Sequence, residues 1–237
     1  MHEIKSISEF KIILISWRVP FIEGNQRRRY IVARLLRNGD DADLEYLLGT
    51  EDFEIAAKKG FDGFKRFPIS DKKHSNVMEY FSYRLPPKKR ADFDTFMKSI
   101  GLDVSLKNQI SYFQLLGYSG GKLPDDTFNF HIDYSSISLP IQVYIELAGI
   151  LYQNDWRLNI DKIAVDDQIV LARDMQNSFD SFAVAAYWKN QRIGYIDRVQ
   201  SKTFSIWIDE GRSIMAYISR KNGTSERPRL YLFVDIQ

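Results

Sequence analysis

The first part of the chain alternates short apolar runs with turns, a pattern that predicts an antiparallel sheet. Residues 10–17 form an apolar run of strand length, which is typical of a buried strand. Residues 30–36 show the period of two of a half-covered strand. After a Gly-Asp-Asp turn at residues 39–41, residues 44–48 are predicted to pair as the third strand of a meander.

Helical patterns follow this predicted meander. Thr50 and the acidic residues after it predict a helix over residues 51–59, because acids favour the positive end of the helix dipole. Apolar residues at i, i+3, i+4 and i+7 predict amphipathic helices over residues 88–100 and 105–116. Residues 76–83 are compatible with either a short helix or a strand.

A cluster of glycine, proline and polar residues at 117–126 predicts a domain boundary. We place it between two domains, residues 1–124 and 125–237. In the second domain, residues 128–132 are interpreted as a bridging strand. Residues 141–152 are predicted to form a long strand with a bend or bulge at Gly149.

The stretch from residue 163 to residue 196 predicts further short strands. The next strand is predicted over residues 163–171, and Asn177 to Asp180 provide turn chemistry, because short polar side chains bond their own backbone. Aromatic and β-favouring residues predict a strand at 182–188, and a reversal at 189–190 leads into another strand at 193–196.

A helix over residues 199–210 and closing strands at 213–220 and 229–236 complete the second domain. Many short strands with one or two helices predict a small OB-like or SH3-like β-barrel. The predicted fold class is therefore α+β, with an N-terminal antiparallel sheet and helices followed by a small barrel.

The composition excludes several kinds of chemistry. The 237 residues include no cysteine, so disulfides, cysteine-rich zinc sites and cysteine nucleophiles are excluded. The three histidines are not spaced as metal ligands are. The paired acids lie in predicted turns, without the nearby histidines or metal ligands that a nuclease site needs. We therefore expect no enzyme activity, no cofactor and no metal. A nuclease is the weakest of the functional hypotheses.

Charge is distributed unevenly along the chain. Residues 1–122 carry 21 lysines and arginines against 16 acids, and the remaining residues carry 12 against 15. The balance is therefore +5 for the first part and −3 for the second. No N-terminal signal pattern or long apolar stretch occurs, so we expect a cytoplasmic protein without a membrane partner.

Several linked motifs occur in the second domain. They are an Arg-Asp pair, an Asn-x-aromatic-Asp turn, an Ala-Val strand, an Ile-Gly-Tyr strand with a following basic residue, and an earlier Gly-x-x-Tyr pattern. Their positions are Arg173, Asp174, Asn177, Phe179, Asp180, Ala183, Val184, Ile193, Gly194, Tyr195, Arg198, Gly149 and Tyr152. Together these motifs resemble the HIRAN domain family. Met175 and Ser178 depart from the family pattern, in which proline is usual at both positions.

The HIRAN resemblance implies binding of single-stranded DNA at its 3′ end. It implies that Tyr152 and Phe179 contact terminal bases and that Asp180 accepts a hydrogen bond from the 3′-hydroxyl. It also implies that Tyr195 and Arg198 lie along the phosphates. Read without the resemblance, Asp180 is an ordinary turn acid that bonds its own backbone, and the alternative for Tyr152 and Tyr195 is a place in the barrel core with the hydroxyl at the surface.

The implied site also needs positively charged side chains to bind the DNA phosphates. Family members often have a cation just before the first tyrosine, where this chain has Leu151. Arg173 is a candidate to compensate as a DNA-binding residue, or else it pairs with Asp174 or another acid. The partners implied by the HIRAN resemblance are single-stranded DNA or DNA ends, in damaged or stalled DNA, repair or defence.

Residues 10–130 combine three predicted strands and a helix, an Arg-Leu-Pro-Pro segment at 84–87, and Phe113 to Leu116 before a Gly-Gly turn. This order resembles the N-terminal subdomain of HipA-type kinases. The HIRAN-like segment stands where the kinase lobes would follow, so phosphotransfer is not implied. The alternative function is therefore a regulatory component of a toxin-antitoxin or defence system that binds a protein partner through the N-terminal domain.

Overall fold

The computed structural model describes residues 2–20, 28–123, 126–154 and 156–237. The predicted boundary between residues 124 and 125 lies outside the described residues. The chain divides into two compact units, and each consists of more than one segment. The N-terminal unit contains Glu9–Phe96 and Lys107–Asp133, and the C-terminal unit contains Met1–Ser8, Met97–Leu106 and Tyr134–Gln237.

A five-stranded antiparallel sheet forms the centre of the N-terminal unit. Its strands are β1 (Ile12–Arg18), β2 (Arg29–Asn38), β3 (Asp41–Tyr46), β4 (Lys73–His74) and β5 (Phe128–Ile132), in the order β4-β3-β2-β1-β5. The predicted meander of the first three strands is confirmed. The strand at residues 128–132 pairs with β1 and therefore belongs to this sheet.

Helices accompany both units. They are α1 (Glu51–Lys58), α2 (Met78–Ser82), α3 (Phe93–Ser99), α4 (Tyr112–Ser119), α5 (Trp156–Lys162) and α6 (Arg198–Asp209). The Thr50 hydroxyl accepts a hydrogen bond from the backbone N–H of Phe53, which explains where α1 begins. The region with two alternatives, residues 76–83, contains the short helix α2.

The predicted helix over residues 105–116 is wrong in its extent. Residues Val104–Asn108 form a 3-10 helix, and α4 begins afresh after Ser111, which forms a capping box with Gln114. Helix α4 continues through Gly117 and ends at Gly120, whose positive φ of 71° is the usual left-handed end of a helix. Apolar spacing predicted one helix because it carries no information about this local cap.

The C-terminal unit contains a six-stranded antiparallel sheet that curls into a half-barrel, with α6 packed on it. Its buried positions alternate along β6, as expected for a strand with one covered face. The strands are β6 (Ile141–Glu146), β7 (Gln168–Arg173), β8 (Val184–Trp188), β9 (Gln191–Tyr195), β10 (Ile214–Thr224) and β11 (Arg227–Ile236), in the order β6-β11-β10-β7-β8-β9. The predicted α+β fold class is confirmed.

The strand predicted over residues 141–152 ends at Glu146. Gly149 has a φ of 71°, and residues Ile150–Tyr152 form a 3-10 helix. A left-handed residue interrupts a strand, and glycine adopts that conformation at little cost. The bend was therefore predicted correctly at Gly149, but the chain does not resume as a strand. Helix α5, which comes shortly afterwards, was not predicted.

The two edges of the curled sheet meet at Ala148 and Tyr195. Two backbone hydrogen bonds of 2.8 and 2.9 Å join these two residues. Ala148 follows β6, and Tyr195 is the last residue of β9. A Cβ atom on Gly194 would lie 2.8 Å from the Ala148 carbonyl oxygen, so a side chain there would force the segments apart. Glycine in the Ile-Gly-Tyr motif therefore permits the curl, and the curl brings residues 149–153 beside β9.

Candidate nucleic-acid interface

The turn between β7 and β8 is organised by Asn177. Its side-chain oxygen accepts hydrogen bonds from the backbone N–H groups of Phe179 and Asp180, at 2.9 and 3.1 Å. The predicted turn at these residues is confirmed, and its mechanism is the expected bonding of a short polar side chain to nearby backbone. The Phe179 side chain is 83% exposed at the tip of this turn.

Asp180 connects the turn to helix α6. One carboxylate oxygen accepts from the backbone N–H of Phe182 at 2.9 Å, and the other accepts from the Ser201 hydroxyl at 2.7 Å. Ser201 is only 1% exposed, so the carboxylate is held by a buried donor. Each carboxylate oxygen can accept more than one hydrogen bond. Asp180 is therefore a turn acid that keeps acceptor capacity for a ligand hydroxyl.

Tyr152 is another exposed aromatic side chain of the region. It ends the 3-10 helix that begins after Gly149, and it is 89% exposed. Of its two alternatives, the barrel-core position is therefore excluded. An aromatic ring with this exposure presents a face on which an unstacked base can lie.

Tyr195 and Asp174 form a hydrogen-bonded pair. The Tyr195 hydroxyl donates to Asp174 at 2.7 Å. This hydrogen bond is the main reason that the pKa of Asp174 lies below its ordinary value, and burial followed by the same contact raises the pKa of Tyr195. The backbone N–H of Gln176 and the side-chain amide of Asn177 also donate to Asp174. The pair holds the beginning of the turn against the end of β9.

Arg192 links this pair to the segment that carries Tyr152. Its Nε donates to the Gln153 side-chain oxygen at 2.8 Å, and its Nη1 lies 3.3 Å from Asp174. The guanidinium also lies 5.2 Å from the centre of the Tyr195 ring. Sequence reasoning missed Arg192 and Gln153, because their contact forms only when the two edges of the sheet meet.

The predicted site cation Arg173 is engaged in other contacts. It forms an ion pair with Asp209 at the end of α6, and it donates to the Ser181 carbonyl at 3.0 Å. Its side chain is 14% exposed. Of the two alternatives for Arg173, the structure shows pairing with an acid, and that acid is Asp209 rather than Asp174.

Arg198 is the first residue of helix α6. The preceding residue, Asp197, caps the helix by accepting from the Val199 backbone N–H at 2.9 Å. The Ser201 hydroxyl that donates to Asp180 also lies 3.0 Å from the Arg198 carbonyl oxygen. The beginning of α6 therefore places Arg198 near the turn that carries Phe179 and Asp180.

Contacts join these residues into one continuous region of the C-terminal unit. The region offers the exposed rings of Phe179 and Tyr152, a carboxylate with remaining acceptor capacity, and arginine side chains. Among the described residues, no group of three or more histidine, cysteine or acidic side chains is arranged to hold a metal ion. In the same residues, no helix is long and apolar enough to cross a membrane.

Comparison with known proteins assigns a class to this half-barrel. The family model of the HIRAN domain matches residues 142–237, which lie within the C-terminal unit. The chain therefore contains a HIRAN domain in these residues. No curated protein matches the chain. Nothing found supports the resemblance of residues 10–130 to the HipA N-terminal subdomain, and the protein-binding role inferred from it stays a prediction.

Two solved structures are similar to part of the chain. A crystal structure of a protein from Lactobacillus plantarum has 19% sequence identity and a TM-score of 0.36, and it covers 41% of this chain and 91% of its own. The crystal structure of the HIRAN domain of human HLTF has 14% identity and a TM-score of 0.33. That match covers 40% of this chain and 74% of the human domain.

Proposed function

We propose that the C-terminal unit binds single-stranded DNA at a free 3′ end and carries out no catalysis. The observation that carries the proposal is the position of Asp180, whose carboxylate is held between a turn N–H and the buried Ser201 hydroxyl. The exposed ring of Phe179 lies next to it in the chain. The HIRAN match over residues 142–237 supports the same function.

Each residue of the proposed site has a physical role. Phe179 and Tyr152 would stack on the last bases, since stacking on an aromatic ring contributes about 1–3 kcal/mol per base. Asp180 would accept the hydrogen bond of the 3′-hydroxyl. Arg198 would attract phosphates, and Tyr195 would contact the strand by its ring edge and remaining hydroxyl lone pair. Arg173 enters the proposal only as a structural residue, because Asp209 pairs with it.

Binding of this kind should depend on the DNA end and little on the sequence. Every base has a π face, so stacking alone does not distinguish one base from another. The charge balance of −3 for residues 123–237 predicts modest affinity that falls as salt rises, because phosphate contacts dominate the affinity for nucleic acid.

The test compares two ends of the same oligonucleotide by fluorescence anisotropy. We expect a strand with a 3′-hydroxyl to bind about tenfold more tightly than one with a 3′-phosphate, because the phosphate repels the Asp180 carboxylate. Asp180→Asn should abolish this difference by removing the charge while keeping the shape. The matched control is Asp161→Asn, which changes an exposed acid of α5. Equal affinity of the wild type for both ends would overturn the proposal.

A further inference from the structure

We infer that Arg192 is a phosphate-binding residue of this interface. The inference rests on the proposed function, because it concerns the same DNA strand. It adds a residue that stands outside the motif positions and that only the folded chain brings to the site.

The guanidinium of Arg192 is held in place and is still accessible. Its Nε donates to Gln153 and its Nη1 lies near Asp174, while the side chain is 44% exposed. Its other terminal nitrogen, Nη2, has no hydrogen-bond partner in the ranges that the structure describes. A planar guanidinium with free N–H groups matches the geometry of a phosphate, which it can bind with two parallel hydrogen bonds.

Gln153 makes this arrangement rigid. Its side-chain nitrogen donates to the Gly149 carbonyl at 2.8 Å, and its side-chain oxygen accepts from Arg192. Gln153 is itself buried. A long arginine side chain normally loses rotamer freedom when it binds a ligand, and holding it beforehand reduces that loss. The buried amide therefore prepares Arg192 for a ligand rather than leaving it to move freely in solvent.

Asp174 forms an ion pair with Arg192, but its carboxylate is shared with other donors. The carboxylate accepts its shorter hydrogen bond, 2.7 Å, from Tyr195, and the distance to Arg192 is 3.3 Å. In contrast, Arg173 is mostly buried in its pair with Asp209. Of these two arginines, Arg192 is the one whose guanidinium keeps both exposure and unused donors.

The location of Arg192 indicates which part of the strand it contacts. Its partner Gln153 follows Tyr152 in the chain, and its other partner Asp174 begins the turn that carries Phe179. Arg192 therefore lies between the two proposed stacking residues along the contacts that join them. A phosphate linking two nucleotides stacked on these rings would face Arg192.

The experiment measures anisotropy of short 3′-hydroxyl oligonucleotides in which one linkage at a time is a neutral methylphosphonate. We expect the wild-type protein to bind about tenfold more weakly to the oligonucleotide in which one particular linkage near the 3′ end is neutral. The reason is that hydrogen bonds to charged groups are stronger than those to neutral groups. Arg192→Gln should weaken the unmodified strand by the same factor. With this variant, neutralising that linkage should cause no further loss.

The salt dependence is a second readout. Arg192→Gln should reduce the slope of log affinity against log salt by about 0.7, the value for one phosphate contact on a single strand. Arg192→Lys should keep the slope, because it keeps the charge, while losing part of the affinity. The matched control is Arg212→Gln, which removes an arginine of similar exposure, 47%, that is paired with Glu210. It should leave both readouts unchanged.

The outcomes separate this inference from the proposed function. If the wild type binds and prefers the 3′-hydroxyl but Arg192→Gln has the wild-type affinity and slope, the assignment of Arg192 is overturned and the end-binding function stands. The assignment is also overturned if neutralising each linkage lowers the affinity of Arg192→Gln by the same factor as that of the wild type. If the wild type itself shows no end preference, the proposed function fails instead. Thermal unfolding of each variant verifies that it folds.

Discussion

Asp174 and Asp180 stand at the two ends of one turn and differ in what surrounds them. Asp174 accepts from Tyr195, Arg192, Gln176 and Asn177, and these donors connect the turn to β9. Among the residues that the structure describes, Asp180 accepts from one backbone N–H within the turn and from one hydroxyl of α6. The first carboxylate joins several segments, whereas the second has fewer donors.

This difference separates a structural acid from a candidate ligand-binding acid. A carboxylate whose acceptor sites are occupied by protein donors stabilises the fold and has little left to offer a ligand. A carboxylate held by fewer donors is oriented and still able to accept. Both acids belong to the same short motif, so residue type does not distinguish them. Their hydrogen-bond partners do.

The largest expected effect is on stability and comes from Asp174→Asn. The amide replaces an acceptor with a donor that faces Arg192 and Asn177, so we expect a loss of about 2 kcal/mol in the free energy of unfolding. Asp180→Asn should cost less than about 1 kcal/mol, because the Ser201 hydroxyl can rotate to accept from the new amide. Urea unfolding of the two variants measures both losses. Equal losses would contradict the distinction.

A smaller effect, on DNA-end preference, is expected for Ser201→Ala. The buried hydroxyl orients Asp180, so its loss should reduce the preference for a 3′-hydroxyl over a 3′-phosphate by about fivefold, the equivalent of one hydrogen bond. The matched control is Ser205→Ala, since Ser205 is also buried in α6 and donates to the Lys202 carbonyl. A similar loss of preference in both variants would show that helix packing, and not orientation of Asp180, is responsible.

The smallest expected effect is a pH dependence of the contribution that Asp174 makes to the free energy of unfolding. The Tyr195 hydroxyl lowers the folded-state pKa of Asp174 below its ordinary value of 3.8. The stabilisation by the carboxylate is therefore complete above pH 3.8 and is lost as pH falls through the lower, folded-state pKa. The difference in unfolding free energy between wild type and Asp174→Asn should shrink over this range.

Tyr195→Phe tests the cause of that pH dependence. It removes the main donor to Asp174, so the pKa of Asp174 should return toward 3.8 and the dependence on pH should become shallower. Urea unfolding between about pH 2 and 5, which spans the ordinary pKa of Asp174 and the range below it, provides the measurement. An unchanged pH profile in this variant would show that the Tyr195 hydroxyl does not set the pKa of Asp174.

Predictions from the sequence succeeded where the cause is local. The turn at Asn177 forms by hydrogen bonds within a few residues, and it is seen as predicted. Strands with clear alternation were also placed correctly. The helix over residues 105–116 is an exception, since its cause is also local: the apolar spacing was followed and the Ser-x-x-Gln capping box at residues 111–114 was not.

The contacts around the candidate site could not be predicted in the same way. Gln153 meets Arg192 because Gly194 allows the segment after β6 to bond to β9. Ser201 meets Asp180 because α6 packs against the half-barrel. These pairs are distant in the chain, and no periodic pattern or motif spacing relates one partner to the other.

By itself, the sequence determined the turn that presents Phe179 and Asp180, because backbone and side-chain groups a few residues apart satisfy one another. It also determined the first three strands, because alternation and turn residues are read from neighbouring positions. Only the tertiary structure decided which arginine is available to a ligand. Arg173 pairs with Asp209 and Arg192 lies exposed beside Gln153, since the curl of the sheet and the position of α6 choose these partners.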